Sequence, residues 1–386
     1  METCVVIVGS YINACSIVLG LQEICYDGKI YVIEANEDVV PCMADVLLKD
    51  VIVVKRKLSS PDKIVDLINE NIAELCKKII LLTAEEFIEP IRLGVKNNKL
   101  KNTVAYTGSN LDNDIIFDRF KFYRFIEKVG YNCIPKTISS QNIPEEEFGE
   151  SYIVRINRSW IGTKKLPRLK IVHSLQERLL FEMFLLSNGI TKDMWSYQEL
   201  LSVSDTDNVS VCGWYDNSFK QFVVTRKVIQ HPPKIGNGDV VEVFCEAPSV
   251  LVEITETILK ELRYVGPFEM EFVYDLNKNE YKIIELNPRF WMQHGLVGKV
   301  TENVLLKCAL GMRVNREIPY NEVKYGVWIN GNRLIYHIIK GNVSVLKYLR
   351  EGIIFPGILD TVRWLCYYGR YKHAIEGYGT VATRVK

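Results

Sequence analysis

The chain has 386 residues, 48% hydrophobic and 25% charged, and its 48 basic residues against 47 acidic ones give a net charge of +1. At about 150 residues per unit this length suggests two or three folded units. The composition excludes a disordered chain, and the charge balance leaves no field that would draw nucleic acid.

Met1-Glu2-Thr3 leads directly into a short strand-like run, so no secretory signal is expected. No run approaches the roughly 18 apolar residues of a membrane span. Ten scattered cysteines without Cys-x-x-Cys spacing point to reduced thiols in a cytoplasmic protein rather than to disulfides or a zinc site.

Cys4 to Gly9 reads as an apolar strand closed by a glycine, followed by helical spacing from Ala14 to Ile24 and a second strand from Ile30 to Ile33. This βαβ opening implies a parallel sheet. Strands at Val51 to Val54, Ile79 to Leu82 and Thr103 to Tyr106, with a helix from Ile64 to Cys76, extend the alternation. A doubly wound, Rossmann-like α/β domain is therefore expected over about residues 1–112. Gly9-Ser10-Tyr11-Ile12 lacks the later glycines of a dinucleotide fingerprint, so the turn is read as a feature of the fold rather than an NAD site.

Asp118 to Gly130 reads as an amphipathic helix stopped by its glycine, and Cys133 to Thr137 as a strand entered through Pro135. Ser151 to Asn157 is a further strand. The loop Arg158-Ser-Trp-Ile-Gly162-Thr-Lys164-Lys165 that follows is short and basic, a composition that closes over phosphate with backbone N–H groups and point charges. Met194 to Leu201 is a strand, and Val209 to Tyr215 with Gln221 to Val228 form a hairpin carrying Arg226 and Lys227. Those two cations either face an anion or lie on a solvated strand face. Val250 to Leu262 has helical spacing.

Phe268 to Arg289 carries the densest chemistry. Two alternating runs flank the turn-rich Asp275 to Glu280 and make an antiparallel hairpin. Alternation puts Glu269, Glu271 and Val273 on one face, and Met270, Phe272 and Tyr274 on the other. The second run sorts Ile283, Glu285 and Asn287 from Ile284 and Leu286. With the turn near Lys278, Glu271 lies opposite Glu285 and Glu269 opposite Asn287. Like charges placed directly across a sheet destabilise it. Either the face is solvated and screened, or a hard cation sits there, as Mg2+ does on one or two carboxylates with substrate phosphates.

Glu285-Leu-Asn287-Pro-Arg289, with an acid one strand earlier at Glu271, resembles the metal-binding signature of the ATP-grasp superfamily, above all its carboxylate-amine ligases and carbamoyl-phosphate-synthetase-like branch. The resemblance implies a Rossmann-like first domain, a two-lobed ATP-grasp domain with its small lobe over 113–197 and its large, metal-bearing lobe over 198–312, and a mostly helical tail over 313–386. It implies ATP as cofactor with Mg2+, or Mn2+ in its place, held by Glu271, Glu285 and Asn287. Arg289, with Arg226 behind it, would steady the transferring phosphate. Arg119, at the start of a helix like the family's Asp-Arg helix, and Arg155, where the family carries a strand lysine, would reach nucleotide phosphates, as would Lys164 and Lys165 in a loop with one glycine where relatives have several. Gln198, Glu199, Leu200 and Leu201 would hold adenine, with backbone groups of Glu199 to Leu201 reading the base edge.

The implied activity is an ATP-dependent carboxylate-amine ligase that forms an amide through an acyl phosphate. Its partners would be a small carboxylate and an amine, among them an amino acid, a peptide or an envelope precursor, and dimers are common among relatives. A non-catalytic nucleotide-binding protein and an enzyme of another acyl-phosphate reaction, such as acid-thiol ligation or carboxylation, are the competing readings. His294 is read as structural or substrate-binding. The aromatic and basic tail, with Trp328, Tyr336, His337, Trp364, Tyr367, Tyr368, Arg370, Tyr371 and Lys372, is read as a helical appendage, with membrane-surface association as the lesser reading.

Overall fold

The computed structural model describes residues 2–9, 12–35, 51–109, 114–158, 166–204, 206, 208–232, 236–350 and 352–355. Lys164, Lys165 and the tail residues Trp364 to Lys372 lie outside these. Among the described residues no helix is long and apolar enough to cross a membrane.

The first five strands, β1 (Thr3–Val8), β2 (Lys29–Glu34), β3 (Ile52–Lys55), β4 (Lys77–Leu82) and β5 (Thr103–Ala105), form a parallel sheet in the order β3-β2-β1-β4-β5. These are the strands expected from the alternating apolar runs. The helices Ile64–Asn71 and Ile88–Lys96 cover one face, where Val6, Val8, Ile64, Ile68 and Ile91 share a core. The helix Ile12–Glu23 covers the other. It is buried on nearly every side, from Ile12 through Leu21, because it is sandwiched between this sheet and the next one, with Ile17 and Val18 sharing a core with Trp214 and Trp291. An all-round apolar helix is what such a position requires.

The short β6 (Gly108–Ser109) pairs with the start of the largest sheet. Then β7 (Thr137–Ser139), β8 (Tyr152–Ile156), β9 (Leu169–Val172) and β10 (Trp195–Glu199) make a small antiparallel sheet in the order β7-β10-β8-β9, whose core with the helix Leu175–Ser187 contains Phe181, Leu185, Trp195 and Tyr197.

The large sheet comprises β11 (Asn208–Tyr215), β12 (Lys220–His231), β13 (Asn237–Val243), β14 (Tyr264–Asp275), β15 (Glu280–Asn287), β16 (Val327–Asn330) and β17 (Gly352–Phe355), in the order β15-β14-β11-β12-β13-β16-β17. Its outer face packs on the helices Arg119–Val129 and Ser249–Glu261 through Phe122, Ile126, Leu251, Ile258, Met270 and Phe272. The helix Arg119–Val129, expected with the small lobe, thus contributes to the core of the large sheet. The described part of the tail likewise adds β16 and β17 to this sheet as well as the helix Gly331–Ile339.

Candidate active site

The β14–β15 hairpin has the expected register at its functional end: Glu271 is paired with Glu285 and Glu269 with Asn287. Toward the turn it departs from expectation, because a bulge after Glu271 leaves Phe272 opposite Ile283. Strict alternation put Ile283 on the acid face. The extra residue reverses the parity, so Ile283 joins Leu286, Met270 and Phe272 in the apolar core. The Ile284 carbonyl meanwhile accepts a 2.9 Å hydrogen bond from the Tyr123 hydroxyl.

Three carboxylates meet around one amide. Asn287 Nδ2 donates to Glu269 Oε2 at 3.2 Å, Glu271 Oε1 at 3.3 Å and Glu285 Oε1 at 3.4 Å. Each remaining oxygen of the outer two acids has a cation: Glu271 Oε2 lies 2.7 Å from Lys227 Nζ, and Glu285 Oε2 contacts the Arg119 guanidinium. Burial alone would raise the Glu271 pKa, but Lys227 outweighs it and holds the group below its ordinary value. The same attraction overcomes burial at Lys227 and raises its pKa. Glu269 has no such partner at hydrogen-bond distance, and burial, reinforced by Glu271, pushes it up to about 7.

Arg119 and Arg155 form the opposing wall. Asp118 caps the helix Arg119–Val129 by accepting from Lys121 N at 3.0 Å, which places Arg119 at its first turn and Tyr123 one turn on, both reaching β15. Arg155 projects from β8 and donates to Gln198 Oε1 at 3.1 Å. Burial, reinforced by the neighbouring Arg155, pushes Arg119 down to about 9 in spite of its contact with Glu285. Burial also lowers Arg155. Arg119 Nε and Nη1 and Arg155 Nε are buried donors with no hydrogen-bond partner. Buried N–H groups are normally paired, and a guanidinium pair with spare donors is a surface suited to phosphate oxygens.

Arg289 donates to Asn287 Oδ1 at 3.2 Å and to the Phe290 carbonyl at 3.4 Å, which sets it at the end of the acid row. Phe290 N bonds the Leu82 carbonyl at 3.0 Å, so the carboxyl end of β4 abuts this point. Arg226 lies elsewhere. It is on the opposite face of β12 from Lys227, donating to Glu242 from Nε at 3.0 Å and stacking 4.5 Å from the Phe244 ring. The cation of this strand that reaches the acids is Lys227, whereas Arg226 is the one expected to steady the transferring phosphate.

The Glu199 amide, expected at the base edge, is donated to the Lys136 carbonyl at 3.0 Å. Its side chain accepts from Lys136 N at 2.8 Å and pairs with Lys278 at 2.6 Å. Leu200, 41% exposed, and the half-buried Leu201 continue from β10 toward the large sheet. His294 is buried between Phe290 and Trp291, its Nδ1 2.8 Å from the Trp291 carbonyl, and burial pushes it down to about 4.

The donor set of Glu271, Glu285 and the Asn287 carbonyl consists of hard oxygens, the chemistry Mg2+ takes. Among the described residues no three His, Cys, Asp or Glu side chains converge as a ready metal cage. The acids instead lean on Lys227, Arg119 and the Asn287 amide. The residues fit the ion by type, and their second oxygens are held by groups that an ion could displace.

Residues 199–320 match the family model of the carbamoyl-phosphate synthase L chain, ATP binding domain. Among solved structures, carboxyaminoimidazole ribonucleotide synthase from Aspergillus clavatus, complexed with ATP, has a TM-score of 0.62 at 11% identity over 92% of this chain and 91% of that one. Biotin carboxylase from Campylobacter jejuni, in a β-γ-ATP complex, has a TM-score of 0.60 at 15% identity over 84% and 74%. L-amino acid ligase from Bacillus licheniformis has a TM-score of 0.57 at 11% identity over 80% and 73%. No curated protein matches the sequence. The family match is confined to residues 199–320, and the solved structures show that the chain shares their fold.

Proposed function

We propose that this protein is an ATP- and Mg2+-dependent carboxylate-amine ligase that forms an amide through an acyl phosphate, with release of ADP and phosphate. The observation that carries this reading is the pairing of Glu271 with Glu285 across β14 and β15, beside the buried Arg119 and the half-buried Arg155, each with N–H groups that find no partner. The biotin carboxylase and amino acid ligase likenesses support an ATP-consuming ligation.

A carboxylate is a poor electrophile, so its oxygen first attacks the γ-phosphorus and displaces ADP. The amine nitrogen then attacks the acyl carbon, phosphate leaves, and the nitrogen gives up a proton. Phosphoryl transfer depends mainly on positioning and on neutralising charge over the oxygens. Arg119 and Arg155 receive phosphate oxygens on their spare donors. Lys227 holds Glu271 ionised, and Arg289 steadies the phosphate that moves to the acid. Mg2+, with Mn2+ as a substitute, would be held by Glu271, Glu285 and Asn287 and would supply charge neutralisation on the triphosphate. The segment from Gln198 to Leu201 would lie along the adenine.

The test is ADP release measured across a panel of carboxylates, with hydroxylamine as the trapping amine. The expected result is equimolar ADP and phosphate with a hydroxamate product for one class of acid. ATP binding without ADP release for every acid would contradict the ligase and favour a nucleotide-binding module.

A further inference from the structure

We propose that the outward face of the helix Leu175–Ser187 is the contact surface of a symmetric homodimer, in which two copies pair this helix antiparallel about a two-fold axis. Leu175, Leu179, Leu180, Met183, Phe184 and Leu186 lie between 39% and 65% exposed, while Phe181 and Leu185 are buried against the small sheet. At about 3.6 residues per turn the six occupy one half of the helix circumference, broken only by Gln176 and Ser187. A helix that is apolar on both sides belongs between two layers, as the helix Ile12–Glu23 does. Among the described residues this one has a layer on one side only.

Area, symmetry and charge select a second copy as the missing layer. The exposed fractions amount to roughly three whole apolar side chains, on the order of 600 Å2 at about 200 Å2 each. That is most of the about 800 Å2 that each partner of a stable complex buries, and more contiguous apolar surface than a monomer usually leaves in water. A closed two-fold contact needs a patch that fits itself, and an uncharged stripe along a helix does so when its copy lies antiparallel. A lipid surface fits less well. Helices that lie on membranes carry free Lys and Arg beside the apolar face, whereas Arg178 is held by Glu145 at 3.0 Å and Glu182 at 3.4 Å, and Glu177 borders the stripe on the other side. Phe184 already stacks on the buried Phe181 with ring centroids 5.9 Å apart, so part of the surface is ordered before a partner arrives.

The pairing leaves the chemistry free. β8 and β10 turn Tyr152, Val154, Trp195 and Tyr197 toward this helix, and Arg155 and Gln198 the other way. The dimer therefore joins two small sheets back to back, with Arg155 of each copy on the side away from the contact.

The experiment is sedimentation velocity of the full chain across a concentration series in the micromolar range. Wild type is expected to dimerise, and Met183→Glu, which puts a charge in the middle of the stripe, to weaken the association about 100-fold or more. Leu180→Glu should do the same. Leu75→Glu, at a residue 78% exposed in the turn before β4, should leave the dimer intact. Leu180 and Met183 are both more than half exposed, so circular dichroism of the variants should match wild type; if one fails to fold, the other decides. A wild type that stays monomeric, or a dimer that both variants leave unchanged, would overturn the proposal. An equal loss in Leu75→Glu would place the contact elsewhere and overturn it too. Monomeric wild type that co-sediments with anionic phospholipid vesicles, and loses this in Met183→Glu, would give the face to a lipid surface instead.

Discussion

His294 shows what burial does to a single titratable ring. Its ordinary pKa of 6.5 is pushed down to about 4 by burial, and the Trp291 carbonyl opposes that only in part. As pH falls from 6.5 toward 4 the unfolded chain takes up a proton that the folded one refuses, so stability declines through that window. The full effect is on the order of 3 kcal/mol. His294→Phe should flatten urea-denaturation stability between pH 7 and 4 relative to wild type, and an unchanged slope would contradict the neutral, buried ring. Arg119 makes the complementary case, a buried cation with two unpartnered nitrogens. Arg119→Met is expected to weaken ATP binding about tenfold or more by calorimetry, the worth of a charge-assisted bond, and undiminished affinity would remove it from the phosphate wall.

At the level of elements, the large sheet tolerates no side chain where β11 and β12 cross at Gly213. Its φ is +153°, and a Cβ there would lie 1.8 Å from the Gln221 carbonyl oxygen. Gly213→Ala should cost about 3 kcal/mol or more by denaturant titration, and a loss below about 1 kcal/mol would refute this account of the crossing. The hairpin beside it shows how far sequence reached. Alternation of Glu269, Glu271, Glu285 and Asn287 about a turn-rich centre was enough to pair Glu271 with Glu285, because period-two patterning and turn length jointly set register. It failed at Ile283, since a bulge inserts a residue without leaving a compositional trace. The expectation for Arg226 missed its neighbour Lys227 for a related reason: adjacent residues face opposite ways, and which one meets Glu271 depends on how β12 stacks beside β11 and β14. Glu269 was placed opposite Asn287 by the same patterning, and the hydrogen bond between them follows from that register.

Across the whole molecule, three layers of long-range contact assemble the site. The parallel sheet delivers the Leu82 carbonyl to Phe290, next to Arg289. The helix Arg119–Val129 brings Arg119 and Tyr123 to the edge strand β15. The small sheet supplies Arg155 and Gln198. The doubly wound first sheet was readable from its alternating strand and helix patterns because each element is local in sequence. The convergence of residues 119, 155, 227 and 285 is not local, and only the tertiary fold shows it. Tyr123→Phe removes one tie between helix and hairpin, with an expected cost of about 1 kcal/mol in thermal or denaturant unfolding; no loss would mean that the Tyr123–Ile284 bond carries no weight.

The most direct test is calorimetric titration of ATP with Mg2+ onto wild type, Glu285→Gln and the double variant Glu271→Gln/Glu285→Gln. The account predicts one nucleotide per chain for wild type, binding that depends on Mg2+, and at least tenfold weaker affinity in each variant, with their unfolding midpoints preserved. Affinity equal in all three proteins, or indifferent to Mg2+, would contradict it.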